Sequence, residues 1–300
     1  MPDIVVFGSL NADLVLTVPS LPAPGQTVLG GHVQTHNGGK GANQAVAAAR
    51  LAGAGRVRMV GRVGDDEHGR HLRAELTAAG VDVAGVLVDP TAPSGIALIL
   101  VDAAGENMIA VSPGANGAVD DNDVARAAAD LRAGDVVVCQ LEVPLPAVQA
   151  LATATRAAGA RLVCNAAPAA TLDADVLAAL DVLVVNETEA QVVLGTVVPT
   201  PTDAAAAACR VGCAVVVTLG AEGAVYADPD GRSGHCRAPI VDAVDTVGTG
   251  DAFVGALAVA LAAGASLPDA VAAGVAAGSH AVTQVGARTG PERLDGLATA

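Results

Sequence analysis

Short, uninterrupted apolar runs alternating with alanine-rich stretches constrain this chain most. After the opening run Ile4-Val5-Val6-Phe7 come Asp-Val-Val-Val-Cys at 135–139, a run at 161–164, Val-Leu-Val-Val at 182–185 and a run at 214–218. The last four are each preceded by a segment of helical character, at 121–132, 146–158, 173–180 and 203–211. A strand that is apolar on both faces must be covered on both, and helices between successive strands do this in a parallel sheet. Apolar residues make up 52% of the chain and aromatics only 1%, so the core must be closely packed Ala and Val. The expected class is α/β: a three-layer αβα, doubly wound, mostly parallel sheet. No linker or long internal repeat divides residues 1–300, so a single domain is expected.

The first third has a different pattern. Strands are expected at 3–8 and 14–18, with a short candidate at 28–34 where Gly30-Gly31 permits a bulge. A helix over 43–51 closed by Gly53, a strand at 57–60 and a helix over 65–79 follow. Residues 95–102 and 107–111, joined by Ala103-Ala104-Gly105-Glu106, read as a β-hairpin. Segments 12–18, 28–36 and 94–111 are therefore expected to form a small antiparallel sheet. Two helices, about 251–263 and 268–282, complete the core.

Several function classes are disfavoured. A net charge of −15 is unsuited to nucleic acid, because neutralising phosphates takes clustered Lys and Arg. No purely apolar run approaches the roughly 18 residues of a membrane span, and no basic segment precedes the first strand as in a signal peptide. The five cysteines (139, 164, 209, 213 and 236) are odd in number and form no C-x-x-C pair, which fits reduced thiols in the cytoplasm. No G-x-x-x-x-G-K-[ST], no G-x-G-x-x-G after the first strand and no G-x-S-x-G is present. The histidines lack metal-ligand spacing.

Chemistry concentrates in two glycine-rich stretches. In 244–253, Gly248 and Gly250 let successive N–H groups turn toward one point at the mouth of an apolar helix, whose dipole adds positive character. Asp251 beside such an anion hole suits a base that activates a hydroxyl. A simple Asp N-cap is the alternative. Of sixteen Lys and Arg residues a single one is lysine, Lys40, and it lies in Gly38-Gly39-Lys40-Gly41-Ala42-Asn43. A slim point charge there suits a tight pocket. Polar groups also gather at strand ends: Asn11 and Asp13, Gln140-Leu141-Glu142, Asn165, Asn186, and Thr218-Leu219-Gly220. Ligands bind beyond the carboxyl ends of open parallel sheets, although each group alone could be a helix cap.

These stretches carry a resemblance. Gly38-Gly39-Lys40-Gly41-Ala42-Asn43 and Asp245-Thr246-x-Gly248-x-Gly250-Asp251 resemble the two signatures of the ribokinase-like (pfkB-type) carbohydrate kinases. Gly8-Ser9-Leu10-Asn11-Ala12-Asp13, Gly105-Glu106-Asn107, Pro113-Gly114-Ala115-Asn116, Gln140-Leu141-Glu142 and Asn186-Glu187-Thr188-Glu189 resemble family segments in order along the whole chain. The resemblance implies transfer of the ATP γ-phosphate to the 5-hydroxyl of ribose. Deoxyribose, fructose or adenosine as acceptor, or a non-catalytic sugar- or nucleotide-binding role, are the alternatives.

Carried over residue by residue, the resemblance makes Asp251 the general base and Gly248, Thr249 and Gly250 the anion hole. Asn11, Asp13, Gly39, Lys40, Gly41, Ala42, Asn43 and Glu142 would hold the sugar. Asn186, Thr218, Leu219, Gly220, Ala221, Glu222, Gly223, Gly250 and Val275 would border the nucleotide, with Val275 apolar where relatives are often polar. Glu189 would serve Mg²⁺ through water. Asp245, Val247, Ala281, Gln284, Gly286 and Gly290 would form a K⁺ loop. The small sheet would be a lid that closes over the sugar and pairs two subunits. Thr35-His36-Asn37 is more polar than the apolar lead-in the family suggests, which points to a larger or differently hydroxylated acceptor if either His36 or Asn37 reaches the pocket.

Overall fold

The structure, a computed structural model, describes residues 3–291. The chain opens with β1 (Ile4–Phe7), β2 (Asn11–Thr17), β3 (Gln34–Gly38), α1 (Lys40–Ala52), β4 (Val57–Gly64) and α2 (Glu67–Ala78). It continues through β5 (Asp82–Asp89), β6 (Gly95–Val101), β7 (Asn107–Ser112), α3 (Asp121–Ala128), β8 (Val136–Gln140) and α4 (Leu145–Ala158). Then come β9 (Arg161–Asn165), α5 (Ala174–Leu177), β10 (Val182–Asn186), α6 (Glu187–Val193), α7 (Pro201–Val211) and β11 (Ala214–Thr218). The last elements are β12 (Ala224–Ala227), β13 (Ser233–Cys236), α8 (Thr249–Ala262) and α9 (Leu267–Ala281).

The main sheet has nine strands in the order β13-β12-β11-β10-β9-β8-β1-β4-β5. Every pairing from β11 to β5 is parallel, and only the β11–β12 and β12–β13 pairings are antiparallel. The two-residue period of a strand divides each apolar run between two cores. Val5 and Phe7 belong to the core shared with α3, α4 and α7, whereas Ile4 and Val6 belong to the core shared with α1, α2, α8 and α9. From β1 the chain winds outward to β4 and β5, then returns to β8 on the other side of β1. The crevice outside the carboxyl ends at this reversal is where ligands lodge in such sheets.

A second sheet, ordered β3-β2-β6-β7, stands over that crevice. Its outer pairings are antiparallel and its central pairing, β2 with β6, is parallel. The strand expected at 28–34 is absent. Residues 28–33 are irregular, Leu29 is 88% exposed, and Gly30 crosses within 2.8 Å (measured from a Cβ built on it) of Leu16 and the Thr17 carbonyl. The strand lies later, at Gln34–Gly38, because pairing with β2 stabilises a segment with no apolar pattern of its own. Two further strands, β5 and β13, were not expected. Helix α1 begins three residues before 43, because Gly39 turns the chain at φ 85° and Asn43 N already donates to Gly39 O. Helices α3 and α5 stop short of the expected 132 and 180.

The shortage of aromatics is matched by close helix contacts. Every residue of α8 from Asp251 to Ala262 is buried. At Gly255 the helix touches α1: a Cβ there would lie 2.6 Å from Ala47 Cβ and 2.8 Å from Ala48 N. Helix propensity alone would make Gly255→Ala stabilising by about 1 kcal/mol. Overpacking against backbone reverses the sign, so a net loss of about 1–3 kcal/mol and a lower midpoint in a thermal melt are expected.

Candidate active site

The first turn of α8 places Asp251 beneath the crevice, only 8% exposed. Successive residues of α1 hold its two oxygens: Gln44 Nε2 donates to Oδ1 at 2.9 Å and Asn43 Nδ2 to Oδ2 at 3.1 Å. Gln44 is itself fully engaged, donating to Asn165 Oδ1 at 2.9 Å and accepting from Gln140 Nε2 at 2.5 Å. Burial raises the Asp251 pKa, while the Lys40 charge and the two amides pull it back down. The Glu142 charge adds to the rise.

The turn before Asp251 is an open helix end. Gly248 is left-handed at φ 75°, and a Cβ there would sit 2.1 Å from Ala287 O, so only glycine fits. No side chain caps α8, and Thr249 Oγ1 donates back to Thr246 O at 3.0 Å. First-turn amides have no partner four residues back, so those of Gly250 and Asp251 remain available to an anion.

Two cavities meet at this turn. One, about 500 Å³, is lined by Lys40, Asn165, Asn186, Glu189, Thr218, Gly220, Gly248, Thr249, Gly250 and Asp251. The other, about 330 Å³, is mostly apolar and lined by Thr218, Gly220, Ala221, Gly223, Ile240, Phe253 and Val275, with Thr249 and Gly250 at its edge. Asn186 and Glu189 cap α6 reciprocally, each backbone N–H donating to the other's side chain at 2.8 Å, so the cap reading holds for them. Glu189 nevertheless faces the larger cavity, and burial raises its pKa. Leu219 is turned into the core and Glu222 lines neither cavity.

A third hollow of about 410 Å³ lies under the small sheet, lined by Asn11, Asn116, Glu142, Pro168 and Val111 of β7. Segments 8–13 and 38–43 interlock beside it. A Cβ on Gly39 would meet Asn11 N at 2.7 Å, and one on Gly41 would meet Ser9 N at 2.6 Å. Glu142 Oε2 ties the two segments, accepting from Lys40 N at 3.0 Å and from the Ser9 hydroxyl. Ala42 N donates to Ser9 O at 2.9 Å. Asn11 Oδ1 accepts from Asn116 Nδ2 at 2.7 Å, and Asn116 also grips both backbone groups of Leu10.

The 245–290 segments are tied together as well. Asp245 Oδ1 accepts from Val247 N and Oδ2 from Gly286 N, both at 2.9 Å. Thr289 Oγ1 donates to the Ala281 and Gly286 carbonyls at 3.3 and 3.1 Å. The Gln284 N donates to Ala281 O at 3.0 Å, and Gly290 O accepts from Arg50 at 3.5 Å. One carboxylate among carbonyls suits a monovalent cation, and no group of three His, Cys, Asp or Glu suited to a metal exists among the described residues.

A profile of the pfkB family carbohydrate kinases matches residues 1–293. The chain belongs to that family. It is 35% identical over 299 residues to a ribokinase of Haemophilus influenzae, covering 98% of this chain and 97% of that one. It is 39% identical over 280 residues to a ribokinase of Schizosaccharomyces pombe, covering 90% and 88%. Among solved structures, the Arabidopsis thaliana ribokinase complexed with ribose and ATP superposes with a TM-score of 0.86 at 31% identity, covering 96% of this chain and 94% of that one.

In this pfkB kinase the structure adds four residues that the site reading did not include: Ser9, Gln44, Asn116 and Arg288. Gln44 looks like any polar residue in an alanine-rich helix, and only the fold brings it to Asp251. Of the polar lead-in, Asn37 turns toward Glu75 of α2 at 3.5 Å, and His36 pairs across from Asp13 in the small sheet.

Asp13 lies close over Gly38, so close that a Cβ there would come within 2.1 Å of its carboxylate. Burial first, and then the charge of Glu142, push the Asp13 pKa from 3.8 up to about 6, partly offset by the charge of Arg288. The folded protein therefore binds a proton at Asp13 that the unfolded chain lacks between pH 3.8 and about 6. Stability falls as pH rises through that window, and above it the ionised group costs roughly 2–3 kcal/mol. Asp13→Asn is expected to raise the melting midpoint at pH 8 by about 2–6 °C, with the gain vanishing below about pH 4. Thermal melts at the two pH values check this.

Proposed function

We propose that this kinase transfers the γ-phosphoryl group of ATP to the 5-hydroxyl of D-ribose. The observation that carries the reading is the Asp251 carboxylate, held by two amide donors at an uncapped helix end where a polar and an apolar cavity meet. Ribokinases at 35% and 39% identity, and a superposable ribokinase holding ribose and ATP, support ribose and ATP as the substrates.

Asp251 accepts the proton of the acceptor hydroxyl as its oxygen bonds to the γ-phosphorus. The bond from that phosphorus to the β-γ bridging oxygen breaks, and ADP leaves. Charge spread over the phosphoryl oxygens is met by the amides of the Gly248-Thr249-Gly250 turn and by Lys40. Adenine occupies the apolar cavity and is held by shape against Val275 and Phe253. Asn11, Asp13, Asn43 and Glu142 surround the sugar with acceptors and amides, which suits a polyol. Mg²⁺ on the nucleotide would neutralise phosphate charge, and Glu189, which lines the larger cavity, would hold its waters. A K⁺ among Asp245 and the carbonyls of the 281–290 segment would hold the Gly248 turn in shape.

Leu98 and Met108, on the face of the small sheet opposite Val111, are each at least 50% exposed and support pairing of two copies through this lid. ATP consumption fits a cytoplasmic enzyme. No helix of the described residues is long and apolar enough to cross a membrane.

A panel of ribose, 2-deoxyribose, fructose and adenosine with ATP, run with and without K⁺, tests the acceptor. Ribose is expected to give the highest kcat/KM, and any other leader overturns the choice. Asp251→Asn is expected to lower kcat by about 10²–10⁴-fold with unchanged circular dichroism. Near-normal turnover would exclude Asp251 as the base.

A further inference from the structure

Beyond α9, one side chain reaches back across the site to the sugar turn. Arg288 Nε donates to Asn43 Oδ1 at 3.1 Å, and an Nη of the same guanidinium donates to the Gly38 carbonyl at 3.4 Å. The two acceptors lie on either side of Gly39, the residue whose positive φ launches α1. Asp13 and Asp251 supply the negative charge that offsets a half-buried cation here, together with Glu75 of α2.

An amide side chain has an acceptor end and a donor end that can be exchanged by rotation. Asn43 is pinned at both ends. Its Oδ1 receives the guanidinium, so its Nδ2 must face Asp251, where it donates at 3.1 Å. Reversed, the amide oxygen would confront the carboxylate, and the nitrogen would confront the guanidinium. The contact to Gly38 O fixes the backbone immediately before the sugar-facing glycines. A planar fork satisfies both acceptors at once, whereas an ammonium on a single stem is poorly matched to the pair.

We propose that Arg288 is a positioning residue: it locks the Asn43 amide and the Gly38 turn in the orientation that binds the acceptor sugar and holds the base. The inference rests on the sugar-kinase reading above and assigns to the segment after α9 a direct part in sugar affinity.

The test compares Arg288→Met, which keeps the stem and removes the donors, with Arg288→Lys, each in the wild-type and Asn43→Ala backgrounds. Steady-state kinetics give KM for sugar and ATP separately, and calorimetry gives the ribose Kd. Arg288→Met is expected to raise the ribose KM and Kd by about tenfold or more, with the ATP KM within about twofold and partial recovery in Arg288→Lys. In the Asn43→Ala background the same substitution should change the ribose Kd by a clearly smaller factor, because one of its two partners is gone and only the Gly38 carbonyl remains. Equal rises in both KM values, Lys no better than Met, or the same fold-change in both backgrounds would overturn the proposal. If Arg288→Met does not fold, Arg288→Lys in the two backgrounds makes the same comparison. A wild-type enzyme that phosphorylates no sugar would refute the reading of the site. An active wild type whose Arg288 variants bind ribose normally would refute only this inference.

Discussion

A carboxylate buried at the mouth of a helix, Asp251, is the constraint on which the rest of this structure depends. Asp251 sits where solvent has been removed, which favours its neutral form and works against use as a base. The Lys40 charge, then Gln44 and Asn43, offset part of that cost, and all three come from the start of α1, so α1 and α8 must begin side by side. Their close approach at Gly255 and Ala47, and with it the Ala- and Gly-rich composition, makes that geometry possible. Gln44 is anchored in turn by Gln140 at the end of β8 and Asn165 at the end of β9. Asp251, the proposed base, is thus positioned from the sheet itself through a chain of side-chain amides.

The same economy governs the sugar side. Backbone meets backbone where 38–43 crosses 8–13, which only glycine at 39 and 41 allows. Strands β2 and β3 of the small sheet leave directly from this crossing, in register from Asn11 with Gly38 to Val15 with Gln34. Any movement of the sheet over the crevice must therefore pivot about the residues proposed to face the sugar. On the opposite side Gly248 packs against the Ala287 carbonyl, so the turn proposed to face the phosphate is shaped by the segment after α9. That segment also carries Arg288 back to Asn43, closing a loop of contacts around the base.

Much of this was legible in the sequence, for identifiable reasons. Strands such as 135–139 and 182–185 are apolar on both faces, so their pattern survives any tertiary context and announces a covered parallel sheet. Asp251, Lys40 and the glycines stand out as candidates because they cluster in two glycine-dense stretches, although on sequence alone a helix cap is an open alternative for Asp251. What escaped is what pairing alone decides. Gln34–Gly38 reads Gln-Thr-His-Asn-Gly and becomes a strand only because β2 lies beside it, whereas the more apolar 28–33 forms no strand ladder. Ser233–Cys236 is a strand for the same reason. Gln44 and Arg288 carry no local signal, since their tasks arise from partners 207 and 245 residues away.

The central claim is a placement: an acceptor hydroxyl between the Asp251 carboxylate and the amides that open α8. A crystal structure with ribose and a non-hydrolysable ATP analogue tests it most directly. The account predicts the ribose 5-hydroxyl within about 3.2 Å of an Asp251 oxygen and the γ-phosphate on the Gly248–Gly250 amides, in line for transfer. A ternary complex with the 5-hydroxyl facing another group, or the γ-phosphate bound away from that turn, would contradict it.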